Sequence, residues 1–201
     1  MVNLPRDECL LTFPEISTID TCAVWNILCS KTLTIAAKCR NRHFILAEYV
    51  RYECLIKPRK NPTNIDIELQ SKLQNELTTN LHFSSYPLNI EDLREVLASV
   101  GSVQRFHRGE LAALALARKL KHSFVTDDGT ARNVAERLLG TSCVRTTPHL
   151  VGWLVYKAQL TDGDIPIIIS ENKDFRKNNG FLGEFIQSCY EHAMGLRLRM
   201  R

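Results

Sequence analysis

Polar and apolar positions succeed one another along this chain as short strand-like runs, each followed by a helical one. Glu15-Ile16-Ser17-Thr18-Ile19-Asp20 alternates with a period of two and ends on an acid. Thr21 is then placed to cap a helix through Cys22, Ala23, Val24, Trp25, Ile27 and Leu28. A short helix is predicted over Leu33 to Lys38. His43 to Ala47 reads as the second strand, followed by a helix from about Glu48 to Ile56. Pro58 and Pro62 break the pattern. Ile65, Leu69, Leu73 and Leu77 then recur every fourth residue, an amphipathic helix that reads as part of an insertion or arm over about 58–86.

Leu81 to Leu88 reads as strand or extended chain, and a helix opens at Asn89 or Ile90 and runs to about Val100. Glu110 to Leu120, rich in Ala and Leu, carries the strongest helix signal. His122 to Thr126 is a strand ending at Asp127-Asp128-Gly129. A helix from Thr130 to Leu139 stops at Gly140, a favourable residue just past a helix end. Ser142 to Arg145 is a last short strand. Helices follow near Pro148 to Gln159, Asp164 to Lys177 and Leu182 to Ala193, the last two forming a helical extension from about 162 to 201. Trp25 and Trp153 fall at core positions. Strands alternating with helices call for a parallel sheet covered on both faces. The expected fold class is therefore α/β, a single three-layer α/β/α domain with a central parallel sheet of about four to five strands.

Composition narrows the function classes. The chain has 201 residues, 44% of them hydrophobic and 24% charged, which is ordinary for a globular domain. No stretch of ~18 residues is free of charge, so no membrane span and no membrane partner are expected. Arg6, Asp7 and Glu8 precede the first apolar run, the wrong order for a secretory signal. Seven cysteines, an odd count with no pair spaced CxxC, argue for reduced thiols in a cytoplasmic protein rather than for disulfides or zinc. Cys39 and His43 share one helical spacing, but two ligands do not make a metal site. There is no Gly-rich phosphate loop and no serine elbow.

The acids carry the chemistry. Two predicted strands end on them, Asp20 after the first and Asp127 with Asp128 after the fourth, and ligands bind at the carboxyl ends of strands in open α/β sheets. Each alone would pass as a helix cap. Glu110 starts a helix directly after Gly109, where a carboxylate also suits the helix dipole. Glu53 and its neighbour Glu48 are rivals within one helix, and spacing does not choose between them. Carboxylates gathered at one sheet edge repel one another unless a cation offsets them. Mg²⁺ or Mn²⁺ prefers oxygen ligands, lowers the pKa of bound water and stabilises charge on a phosphodiester. That chemistry is metal-dependent phosphodiester hydrolysis.

Ile19-Asp20-Thr21, Val50-Arg51-Tyr52-Glu53, the run Gly109-Glu110-Leu111-Ala112-Ala113-Leu114-Ala115-Leu116-Ala117, and Thr126-Asp127-Asp128 followed by Ala131-Arg132-Asn133-Val134-Ala135 resemble, in this order, the PIN-domain family. Gly163 to Phe181, ending Asn178-Asn179-Gly180-Phe181, is similar to the helical C-terminal extension of one bacterial and archaeal branch. The likeness spans roughly 14 to 185. It implies a Mg²⁺- or Mn²⁺-dependent endoribonuclease acting on single-stranded RNA. Many small members are toxins paired with an antitoxin protein, and a homo-oligomer is expected. Position by position it implies catalytic roles for Asp20, Glu53, Glu110, Asp127 and Asp128, and it selects Glu53 over Glu48. Asp20, Glu110 and Asp127 would hold metal directly. Asp128 would act through water or complete a second metal site, and Glu53 would act through water. The chain departs from the compact toxins in its length, in the 58–86 stretch, and in having Ala47 where a proline is often found. A non-catalytic RNA-binding or scaffolding member of the same fold is the alternative.

Several residues are secondary candidates for substrate binding. Thr18, Thr21 and Thr126 are placed to bond carboxylates or a phosphate, although caps and strands need no such role. Asn26 lies six residues beyond Asp20. Arg132, one turn from Asp128, would pair with it or touch RNA. Arg105, His107 and Arg108 precede Glu110 and would meet phosphates at the cleft mouth. The tail Leu196-Arg197-Leu198-Arg199-Met200-Arg201 alternates apolar and basic residues, as either a binding segment or a frayed end. The formal charge of +4 averages two regions: with five negative charges set aside in one cleft, the remainder carries +9, which suits a polyanionic partner.

Overall fold

Ser17 and Thr18 are as buried as Ile19, because the strand they form is covered on both faces. This is the burial expected of a parallel sheet, and it removes the in–out alternation of a half-exposed strand. The structure is a computed structural model describing residues 5–100, 107–175 and 180–199. Its strands are β1 (Ile16–Ile19), β2 (His43–Ala47), β3 (Phe83–Tyr86), β4 (Ser123–Val125) and β5 (Val144–Arg145). All pairs are parallel, in the order β3-β2-β1-β4-β5. The chain builds outward from β1 through β2 and β3, then returns to place β4 and β5 on the other side. The switch point, where such sheets open a crevice, lies between β1 and β4.

The helices are α1 (Asp7–Leu11), α2 (Thr21–Leu28), α3 (Lys31–Cys39), α4 (Glu48–Leu55), α5 (Asn64–Asn75), α6 (Ile90–Val100), α7 (Arg108–Leu120), α8 (Gly129–Leu139), α9 (Thr147–Tyr156), α10 (Asp164–Phe175) and α11 (Gly180–Arg199). Helix α7 lies against β1, β2 and β4 and is flanked by α4 and α6. Its buried face is largely alanine (Ala112, Ala113, Ala115 and Ala117), which lets the helix sit close to the sheet. Helix α9 gathers α1, α2, α3 and α11 into a second helical layer. It is buried from Thr147 to Val155, as a helix apolar all round must be. The three-layer α/β/α arrangement expected from the sequence is the one observed.

Particular elements differ from their predicted forms. The stretch 58–86 contains both α5, packed on α2 and α4, and the edge strand β3, so it is a crossover into the sheet rather than an arm. Phe83 pairs with Phe44 across that edge, their ring centroids 5.3 Å apart. Leu69 and Leu73 of the apolar stripe are buried, while Ile65 at its start is exposed. The helix ends at Asn75 and passes into a wider turn over Glu76–Asn80, whose Leu81 cap is left-handed. Helix α1 has no counterpart in the sequence reading, being a single turn of five residues. At the other end α11 continues as helix to Arg199, and Arg197 donates to the Val155 carbonyl at 3.2 Å, which docks the tail at that residue; Met200 and Arg201 lie outside the described residues. Trp25 and Trp153 are both core residues. Among the described residues no helix is long and apolar enough to cross a membrane.

Candidate active site

Strands β1 and β4 pair in register, Ile19 opposite Val125, so the residues that follow them, Asp20 and Thr126, emerge side by side at the carboxyl edge. Asp20 caps α2. Its Oδ1 accepts from the Ala23 amide at 2.8 Å, and its Oδ2 accepts from the Thr126 hydroxyl. The side chain is fully buried. Burial, reinforced by the charges of Asp127 and Glu110 and opposed by the two hydrogen bonds, pushes its carboxyl up to about 7. Thr126 Oγ1 also accepts from the Asp128 amide at 3.2 Å, so one hydroxyl links both strand ends.

Asp127 faces the crevice and is held from two other elements. Asn26 Nδ2 donates to its Oδ2 at 2.8 Å, and the Thr147 amide donates to Oδ1 at 2.8 Å. The Thr147 hydroxyl also donates to Oδ2. Asp128 turns away to cap α8, accepting from the Ala131 amide at 2.8 Å. Arg132 lies elsewhere, its guanidinium 5.9 Å from the Phe185 ring centroid, instead of forming the expected pair one turn away.

Glu53 and Glu110 meet through a glycine. Glu53 Oε2 accepts from the Thr21 hydroxyl at 3.0 Å, and Lys57 Nζ lies 3.3 Å from Oε1. A Cβ on Gly109 would stand 2.1 Å from Glu53 Oε2 and 3.2 Å from Thr21 Oγ1. The missing side chain is the space in which the Glu53 carboxylate sits. Glu110, the next residue, is third in α7 and accepts from the His107 amide at 3.1 Å. Burial raises its pKa, the His107 amide opposes this, and Asp128 and Glu53 add to the rise. Glu48 is turned to other partners, Ser85 and Arg51, and takes no part.

Gly109→Ala therefore tests the site apart from the fold. Alanine is the better helix former by roughly 1 kcal/mol, and the clash falls on the mobile end of a side chain. The variant is expected to keep its melting temperature in a thermal scan. Any reaction this site carries out is expected to slow on the order of 10²-fold as Glu53 is displaced. Equal activity would separate Glu53 from function.

All five predicted acids thus lie at this edge, coupled through their charges or through Thr21, Thr126 and Gly109. Thr21 and Thr126 bond carboxylates as expected. Thr18 does not: its hydroxyl is buried without a hydrogen-bond partner. Arg108 is exposed at the start of α7, and Arg105 lies outside the described residues. Thr147 was missed. The signal for it was Thr146-Thr147-Pro148, a cap and proline opening a helix directly after the last strand.

The donors are all oxygen, a set that suits a hard divalent cation. As they stand, no three His, Cys, Asp or Glu side chains among the described residues form a group able to hold one metal ion. Asp20 and Asp128 are instead each turned into the cap of the helix that follows. The oxygen chemistry of these side chains would suit such a cation once Asp20 and Asp128 turned from their caps, and Asp20, Glu110, Asp127 and Asp128 are the residues that would then hold it. Comparison with protein-family models, with curated proteins and with solved structures finds no match.

Proposed function

We propose that this chain is a divalent-metal-dependent endoribonuclease of the PIN kind, hydrolysing phosphodiester bonds of single-stranded RNA. One observation carries the reading: Asp20 and Asp127 end the two strands flanking the switch point, and Glu53 and Glu110 are brought to the same edge through Gly109. Asp20 and Asp128 are held by bonds from hydroxyl and backbone N–H groups, all uncharged. The charges of Asp127 and Glu110 bear on Asp20, and those of Asp128 and Glu53 on Glu110, so the site concentrates negative charge. A bound Mg²⁺ or Mn²⁺ would offset that charge and activate a water for in-line attack.

The chain's own residues set up the rest. Asn26 and Thr147 fix the Asp127 carboxylate toward the crevice. Thr126 holds Asp20 and the backbone of Asp128 in one register. Glu53, oriented by Thr21, offers its carboxylate oxygens to position a water and accept its proton. The excess of basic residues outside the cleft draws in a polyanion. A toxin role, with its antitoxin protein, rests on the family resemblance. A neighbouring reading frame encoding a small DNA-binding protein would support it.

The test is cleavage of a single-stranded RNA with Mn²⁺ and with chelator, by the wild-type protein and by Asp127→Asn. Cleavage is expected only with metal, and roughly 10²- to 10³-fold less of it in the variant. Unchanged cleavage in both Asp127→Asn and Asp20→Asn overturns the reading. The second reading, a non-catalytic RNA-binding member, is favoured by the use of Asp20 and Asp128 as helix caps. Calorimetric titration separates the two, since saturable Mn²⁺ binding belongs to the enzyme and its absence to the scaffold.

A further inference from the structure

Beside the acids, a pocket of about 150 Å³ opens between α8, the start of α9 and α11. We propose that it seats one unstacked nucleobase of the single-stranded substrate, an inference that rests on the ribonuclease reading and names a recognition element within it. Four features of the pocket point to a base.

Asp127 belongs both to the pocket wall and to the acid cluster, so an occupant is attached within one nucleotide of a phosphate at the acids. Phe185 forms a buried wall with Arg132 over its ring, while Phe181 leaves 62% of its surface in solvent at the rim. A flat aromatic occupant would cover Phe181, and Arg132 adds a planar cation beside it. Asn26 lines the same pocket. Its Nδ2 is committed to Asp127, which accepts only, so the amide orientation is set and Oδ1 is left as an acceptor. That oxygen has no hydrogen-bond partner in the structure, although Asn26 is 1% exposed. The volume lies well below the roughly 300–1,000 Å³ of a drug-sized site, which limits the occupant to about one ring system.

The experiment uses short single-stranded RNAs carrying one 2-aminopurine at successive positions. They bind to Asp20→Asn protein in Mg²⁺, which keeps the RNA whole. Fluorescence quenching is expected to peak at one position. Adding Phe181→Ala, at an exposed site that the fold tolerates, should abolish that peak and weaken Kd about tenfold, the size of one lost base–aromatic stack. Phe181→Trp should restore both. An abasic residue at the peak position should bind as weakly as intact RNA binds the alanine variant. Uniform quenching, or a Kd unmoved by Phe181→Ala, overturns the pocket, and so does failure to bind RNA at all. In the wild-type background, cleavage by an alanine variant with unchanged KM leaves the ribonuclease standing without the pocket. Phe181-dependent quenching with no cleavage under any metal leaves the pocket standing without the ribonuclease.

Discussion

Asp20→Asn is expected to lower the proposed metal-dependent RNA cleavage by roughly 10³-fold and at the same time to raise the melting temperature at pH 8. The second effect follows from burial. Asp20 is fully buried, and its carboxyl is pushed from 3.8 up to about 7. A carboxyl raised on folding favours the native state only while protonated. Its contribution is full below pH 3.8, declines as the pH rises, and is gone above about 7. A rise of about three pKa units corresponds to a penalty of about 4 kcal/mol for the charged form. Asparagine carries no such charge and still caps α2, its oxygen accepting from Ala23. Its amide would donate to Thr126, which already accepts from Asp128. For a chain of this length the expected gain is roughly 5–10 °C. Thermal scans from pH 4 to 8 would show the two proteins nearly matched at the acid end and diverging toward pH 7. Added Mg²⁺ should stabilise the wild-type protein and leave the variant unmoved. A variant less stable at pH 8 would mean that the Asp20 charge is already compensated, and the metal argument would lose its footing.

Gly152→Val should have the largest effect on the fold. Gly152 lies in the middle of α9, where a Cβ would stand 2.5 Å from Leu10 Cδ2 and 3.1 Å from both the Cβ and the backbone oxygen of Cys189. A backbone oxygen in a packed helix cannot step aside as a carboxylate can. Forcing α9 away from α1 and α11 costs about 3 kcal/mol, a loss of roughly 6–12 °C. Circular dichroism melting measures it, with Gly152→Ala intermediate because helix propensity offsets part of the clash. An alanine variant more stable than wild type would show that α9 and α11 do not cross this closely. Activity per folded molecule should persist at low temperature. Gly109→Ala should behave in the opposite way, keeping stability and losing activity, although both glycines sit in helices and look alike in sequence.

Most strands and helices, the fold class and the acids that close strands or open helices were legible in the amino-acid sequence, because each depends on neighbours a few residues away. A period of two or of four, a capping residue, or an acid closing an apolar run is written locally. For the same reason Asp20 and Asp128 could be recognised as caps. Other features needed the folded chain. The register that sets Asp20 beside Thr126 joins residues 106 apart, and the Asn26–Asp127 bond joins residues 101 apart. The family resemblance selects Glu53 over Glu48, but only the folded chain lays Gly109 against its carboxylate. The stretch 58–86 revealed itself as a crossover only when β3 paired with β2. The sequence by itself determined which residue types stand at which strand ends. Tertiary structure decided which of them share a site, because side-chain contacts across a sheet depend on strand order and helix packing, and neither leaves a local period to read.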